Sequence, residues 1–296
     1  MKNYYKYRKK ILELLSNKVR TDKSINPGEW QGVIKNTYTH ILPLDGKNCR
    51  KSREDAIREY LEIEIKEDFL PRGKKGCKET LHPYAHHLNS SQLLCYATFQ
   101  PLLEEENIGD ATHHPKEELI KLIKDLLCID ISKDAKCKFE YIDDLKWEKR
   151  DGSIQPEGTS FDFHIADKNI EVFFEIKFTE FGFGKAKNDE NHKEKIEDTY
   201  LFRVKDIVGK KVSKKYIIQN YQLFRNIIRS NSEKKLVVFI TDNSNPKTSD
   251  DICKFDKDFL TSSHANVKFV TWQDICNNWP KDIAMPFQFT CFETPK

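Results

Sequence analysis

Thr159-Ser160-Phe161-Asp162-Phe163-His164-Ile165, followed by Val172-Phe173-Phe174-Glu175-Ile176-Lys177-Phe178-Thr179, decides how this chain is read. In the first run Phe161, Phe163 and Ile165 alternate with Ser160, Asp162 and His164. In the second, Val172, Phe174, Ile176 and Phe178 fall on one side and Phe173, Glu175, Lys177 and Thr179 on the other. Side chains alternate across a strand, so this period of two predicts two β-strands, with Glu175 and Lys177 on one face. Ala166-Asp167-Lys168-Asn169 between them has turn chemistry. Closing the runs as a hairpin brings Asp162 nearly opposite Glu175. Two carboxylates and one ammonium should then meet on the non-core side of the sheet.

Such a group has a chemical use. Mg²⁺ takes hard oxygen ligands and keeps several waters. Asp162 and Glu175 can supply two carboxylate oxygens, and the Ile176 carbonyl between Glu175 and Lys177 a third. A metal held there lowers the pKa of a bound water and offsets charge on a phosphate. Lys177 can orient the attacking water or meet the phosphate, its charged form favoured by the carboxylates. The plain alternative is a surface cross-strand ion pair. The surroundings favour chemistry: the Glu/Lys strand is otherwise apolar, and a second carboxylate stands one hairpin away.

Outward from the hairpin, four-residue spacing predicts helices over Tyr5–Val19 and Ser52–Phe69. Pro71, Gly73 and Gly76 break the pattern and put a boundary near residue 80, with a mostly helical region at 1–80 and an α/β unit at 81–296. Asn89, Ser90 or Ser91 can cap a following helix. A helix is expected at Pro115–Leu127, with Pro115 in its first turn, then a strand at Cys137–Leu145 before the hairpin. A basic helix at Lys214–Ser230 and strands at Leu236–Thr241 and Val267–Trp272 complete the order. Strands flanked by helices in this way predict an α/β fold, a mixed sheet with helices on both faces.

Bulk properties set the frame. The chain has 296 residues, 38% hydrophobic, with a net charge of only +3. No stretch approaches the ~20 apolar residues of a membrane span, and Met1–Lys10 lacks an apolar signal core, so no membrane partner and a cytoplasmic location are expected. The eight cysteines are scattered without a CxxC pair, which fits buried thiols. Charge is uneven: Tyr200–Lys235 holds ten Lys/Arg against Asp206 and Glu233. That surplus suits phosphates, or is simply a solvated surface. Lys210, Lys211, Lys214 and Lys215 are its densest part.

The pattern Gly158-Thr159-Ser160-Phe161-Asp162, twelve residues, then Glu175-Ile176-Lys177 resembles the PD-(D/E)xK nuclease superfamily. His86-His87-Leu88-Asn89-Ser90-Ser91-Gln92 with Cys95-Tyr96, and Gln219-Asn220-Tyr221-Gln222-Leu223-Phe224-Arg225-Asn226, are similar to bacterial members described as restriction endonucleases. The likeness covers about residues 82–241. It implies a restriction-endonuclease-like core in αβββαβ order and Mg²⁺-dependent phosphodiester hydrolysis, with Mn²⁺ able to substitute. It implies Asp162 and Glu175 as metal ligands and Lys177 as the catalytic lysine. Phe161 replaces the proline of the name.

Further candidates follow. Glu157 is either a third carboxylate near the metal or a solvated loop acid. Gln92, on the helix that the resemblance packs beside the site, can lend it a polar group. Gln219 or Gln222 would contact DNA or order the site; Gln219 is preferred, and Arg225 shares the side of Gln222. Cys77, His82, His86, His87 and Cys95 form a thiol/imidazole cluster, with His82 and His86 at zinc-on-a-helix spacing but Pro83 between them. His164 either acts near the site or is a strand-surface histidine. The expected function is a DNA endonuclease acting on double-stranded DNA in restriction or phage defence. The alternatives are a structure-specific or repair nuclease and a non-catalytic nucleic-acid-binding module, against which the intact triad argues. Cutting both strands calls for two centres, which a homodimer would supply.

Overall fold

The computed structural model describes residues 1–22, 26, 28–29, 37–45, 49–65, 81–107, 111–143, 146–148, 151–156, 159–187, 189–259 and 266–292. The helices are α1 (Lys2–Asp22), α2 (Arg50–Leu61), α3 (Ser91–Phe99), α4 (Glu117–Leu127), α5 (Glu190–Lys195), α6 (Leu201–Val208), α7 (Lys214–Gln219), α8 (Tyr221–Ile227), α9 (Pro246–Phe259) and α10 (Trp272–Asn277). The strands are β1 (Gly28–Glu29), β2 (Thr37–Tyr38), β3 (Leu103–Asn107), β4 (His113–Pro115), β5 (Lys136–Asp143), β6 (Lys146–Glu148), β7 (Ile154–Pro156), β8 (Thr159–Ala166), β9 (Glu171–Ile176), β10 (Lys235–Thr241) and β11 (Val267–Thr271). Two short ladders, β1–β2 and β6–β7, stand apart from one seven-stranded sheet in the order β11-β10-β9-β8-β5-β4-β3. β9, β10 and β11 run parallel, and the other neighbouring pairs are antiparallel. The sheet is mixed, with the expected helix, three strands, helix and strand order at its centre.

Apolar alternation on the central strands feeds two cores. On β10, Leu236, Val238 and Ile240 pack with α1, α3, α4 and α10, while Val237 and Phe239 pack with α6, α7, α8 and α9. A short, wholly apolar strand is what a sheet covered on both faces requires. The N-terminal helix is part of this packing: Tyr4, Tyr7, Ile11, Leu15 and Val19 lie in one buried cluster with Ile176 and Phe178. The expected boundary near residue 80, and the breakers Pro71, Gly73 and Gly76, lie outside the described residues.

Local expectations need four corrections. The helix expected over Ser52–Phe69 ends at Leu61, where Glu62 turns left-handed (φ 58°). Pro115 ends β4, paired with Leu103, and does not open a helix; a proline tolerates a strand end because it has no N–H to donate. The long basic helix breaks at Asn220 (φ −126°, ψ 43°) into α7 and α8. There the Tyr221 and Gln222 amides turn to the carbonyls of Gly184 and Phe183, both at 3.1 Å. Finally, Phe161 and Phe163 do not share a side. Phe163 stacks on Phe99 in the first core, and Phe161 packs on Phe173 in the second. The β5–β8 ladder pairs Phe139 with Phe163 and Tyr141 with Phe161 but skips Glu140 and Asp162 between them. Glu140 is left-handed there (φ 46°), and both strands twist across the skipped pair.

Candidate active site

The skipped pair is where the strands part. β8 and β9 are in register from Ala166↔Glu171 to Phe163↔Phe174, and the next pair in that register is Asp162 with Glu175. There the ladder gives way to a side chain: the Ile176 amide donates to Asp162 Oδ2 at 2.6 Å. The hairpin expectation for this pair therefore holds in register. The expected open face does not, because Glu175 and Lys177 are only 3% and 6% exposed. Helices cover that side, as they must when a mixed sheet has cores on both faces.

Glu175 is held from three directions. Lys177 Nζ donates to its Oε1 at 2.8 Å, Gln222 Nε2 donates to the same oxygen, and Asn226 Nδ2 donates to Oε2 at 2.9 Å. A buried carboxylate needs such donors, since desolvation without them costs several kcal/mol. Gln222 and Asn226 are four apart on α8 and so share a face. Gln222, not the preferred Gln219, orders the site, and Gln219 is exposed on α7. Asn226 was missed; its signal was a polar residue one turn from Gln222 in the otherwise apolar Leu223, Phe224, Ile227 run.

Glu140 is a further missed carboxylate. It accepts from Gln92 Nε2 at 2.9 Å, and the Gln92 Oε1 takes the His82 amide at 2.7 Å. Gln92 is therefore beside the site, as expected, tying α3 to β5. Burial pushes the Glu140 carboxyl up to about 7, helped by the Glu175 charge and opposed by the Gln92 hydrogen bond. Burial also raises the Asp162 carboxyl well above the usual range, reinforced by Glu175 and Glu140. Burial would lower the Lys177 ammonium, but Glu175, Glu180 and Asp162 outweigh it and raise its pKa. Lys177 thus faces three acids, Glu175, Glu180 and Asp162, and Glu140 adds a fourth beside Asp162. Among the described residues Asp162 Oδ1 has no hydrogen-bond donor, and Glu175 Oε2 has only one. An all-oxygen donor set with surplus negative charge suits a hard divalent cation.

Asp162, Glu140, Gln92 and Glu180 line a cavity of about 510 Å3, whose other walls include Tyr4, Arg8 and Tyr84. Glu175 and Lys177 are not among its lining residues; both are buried, next to Asp162 along the β8–β9 register. The loop after β9 is fixed from α1: Tyr4 Oη donates to the Thr179 carbonyl at 2.7 Å and Tyr7 Oη to the Phe178 carbonyl at 3.0 Å.

The remaining candidates separate from this centre. Glu157 and Cys77 lie outside the described residues. His82 and His86 are in turns, not on a helix, and no three His, Cys, Asp or Glu among the described residues are placed to hold a metal together. His86 is buried, and among the described residues neither ring nitrogen has a hydrogen-bond partner; its ring is 4.7 Å from that of His87. His164 is buried and not on the strand surface: it stacks on Tyr141 at 3.9 Å on the α6–α9 side. The seven described cysteines are free thiols; Cys95 and Cys137 are buried, while Cys49, Cys128 and Cys253 are exposed. In the basic segment Lys210, Lys211 and Lys215 are exposed, and Lys214 meets Glu197. Arg225 is half-buried, whereas Arg229 is fully buried against Asp143 at 2.9 Å. Among the described residues no helix is long and apolar enough to cross a membrane.

No curated protein and no solved structure matches this chain. A family model does: the one for restriction endonucleases associating with ARP matches residues 26–289, spanning the whole sheet and every residue of the Asp162 centre. The chain therefore belongs to that restriction endonuclease family.

Proposed function

We propose that this protein is a Mg²⁺-dependent endonuclease that hydrolyses phosphodiester bonds of double-stranded DNA, in restriction of foreign DNA such as that of phage. The observation that carries the reading is the parting of β8 and β9 beside Asp162 and Glu175: Asp162 lines a cavity, and Lys177 is hydrogen-bonded to the buried Glu175 next to it in register. Asp162, Glu175 and the Ile176 carbonyl would hold the cation, with Mn²⁺ a substitute. Bound there, it would lower the pKa of a coordinated water and offset charge on the phosphate. Lys177 stays charged among its carboxylates and orients the water or meets the developing oxyanion. Gln222 and Asn226 keep the Glu175 carboxylate from turning away. Lys210, Lys211, Lys214, Lys215, Gln219 and Arg225 would meet the DNA backbone, and a second copy of the chain would supply the second cut. The test is incubation of unmethylated phage DNA with the protein and Mg²⁺, followed by sequencing of the ends. Discrete new ends support the reading, and DNA that stays intact opposes it.

A further inference from the structure

Two cavities meet at one side chain. Arg8 of α1 closes the far side of the catalytic cavity. It also lines a second cavity of about 560 Å3, bounded by Tyr5, Lys9, Leu12, Tyr38 and His40. The two adjoin at Arg8, and together we read them as one trough running from Asp162 along α1. Its chemistry changes along the way. Asp162, Glu140 and Glu180 make the first end acidic; at the second, Arg8 and Lys9 bring cations, with Glu13 3.6 Å from Lys9 as one acid. Arg8 is half-buried, and makes no hydrogen bond or ion pair with any other described residue. Aromatic rings stand beside the cations: Tyr5 is 61% exposed, Tyr84 39% and Tyr38 36%. α1 lies before the residues that the family model matches, so the match assigns nothing to it.

Cations spaced among exposed aromatic rings fit a single nucleic-acid strand. Phosphates meet the charges and each base has a face to stack. Two cavities of this size are too small to take in a double helix, which presents its phosphates from outside and keeps its bases stacked. We propose that the trough holds an unpaired stretch of DNA next to the scissile phosphate, with Arg8 on a flanking phosphate and Tyr5 and Tyr38 as stacking platforms. The substrate class is DNA with an unpaired segment, such as a flap, an overhang or a locally opened duplex. That Asp162 marks the scissile end rests on the nuclease reading above; the binding itself does not.

The test is fluorescence anisotropy with a labelled single-stranded oligonucleotide in EDTA at several salt concentrations, beside a hairpin-closed duplex of equal length. Tyr5→Ala should weaken single-strand binding by about tenfold or more, the effect of losing one stacked base, and leave duplex binding unchanged. Arg8→Ala should lower the salt slope of single-strand binding by about 0.7, the share of one phosphate, and Arg8→Lys should restore it. Tyr5 is exposed on a helix surface, so Tyr5→Ala tests the trough even if Arg8→Ala fails to fold. Unaltered single-strand affinity in Tyr5→Ala, or an unaltered slope in folded Arg8→Ala, overturns the trough. A wild-type protein that binds through these residues yet never cuts DNA overturns the nuclease reading alone.

Discussion

Lys177 and Lys211 are the same residue in opposite settings. Lys177 is 6% exposed and pinned 2.8 Å from Glu175, with Asp162 and Glu180 adding negative charge around it. Lys211 is exposed on the segment between α6 and α7, with Lys210, Lys214 and Lys215 about it. A held, dehydrated charge acts at one point and is weakly screened by salt, whereas a row of solvated charges acts over a Debye length of roughly 8 Å and is screened. The first setting suits chemistry on a single phosphate, and the second suits attraction of a whole polyanion. The contrast orders the expected effects of mutation.

The largest effect belongs to the buried side. Lys177→Ala should lower single-turnover cleavage by about 10²–10³, the loss typical of removing a donor to developing charge. DNA affinity should change little, because one phosphate contact among many is lost. Normal cleavage by this variant would place Lys177 with Lys211 as a bystander.

Next comes the helix that holds Glu175. Asn226 is fully buried and donates to Glu175 Oε2. Asn226→Ala should cost about 1.5–3 kcal/mol in denaturant unfolding, the range for a hydrogen bond to a charged group. Cleavage should fall with it. Gln222→Ala should cost less, since Gln222 is only partly buried. Equal and negligible losses in both would mean that α8 merely packs beside the centre.

Acid should expose a third difference. Burial holds His86 to about 4, and His87 and His164 to about 3, below the ordinary 6.5. Below 6.5 the unfolded chain takes up protons that the folded chain refuses. Stability should therefore fall as pH drops from 6.5 toward 3, by up to ~1.4 kcal/mol per pH unit for each such histidine. Glu140 works the other way: its raised carboxyl favours the fold at low pH, and that contribution is lost as pH rises from 4.5 through about 7. His164→Phe should keep the stack on Tyr141 and flatten the acid limb of melting temperature against pH. An unchanged limb would mean that His164 is protonated in the fold.

The smallest effect belongs to the exposed side. Replacing Lys210, Lys211, Lys214 and Lys215 with Gln together should leave stability nearly unchanged, as for most surface substitutions. Cleavage at saturating DNA and low salt should survive. Each lysine that touches a phosphate adds ~0.9 to the salt slope of duplex binding, so the slope should flatten. A slope that does not move would make this run only a solvated surface.

Much of this architecture is legible in the residues, for local reasons. The alternation of Ser160–Ile165 and Val172–Thr179 gives β8 and β9 their places, the turn after Ala166 sets their register, and Ser90 caps α3 by accepting the Leu93 amide. Interruptions are less legible. The twist at Glu140 and Asp162 moves Phe161 to the other core, which a strict period of two cannot anticipate. The break at Asn220 depends on the carbonyls of Phe183 and Gly184, reached only once the chain has folded. Glu140 and Asn226 join the centre from elements far away in sequence. The part played by α1 was illegible for the same reason, because Tyr4 and Tyr7 meet residues more than 170 positions away.

The central claim is that Asp162 and Glu175 form a metal-dependent cutting centre. Its most direct test is single-turnover cleavage of DNA by the wild type and by Asp162→Asn, each in Mg²⁺ and in EDTA. Asparagine keeps the shape and can still accept the Ile176 amide, but removes the charge. The wild type should cut in Mg²⁺ and stop in EDTA, and Asp162→Asn should fail in both while melting at or near the wild-type temperature. Cutting by the wild type in EDTA, or undiminished cutting by Asp162→Asn in Mg²⁺, would contradict the account.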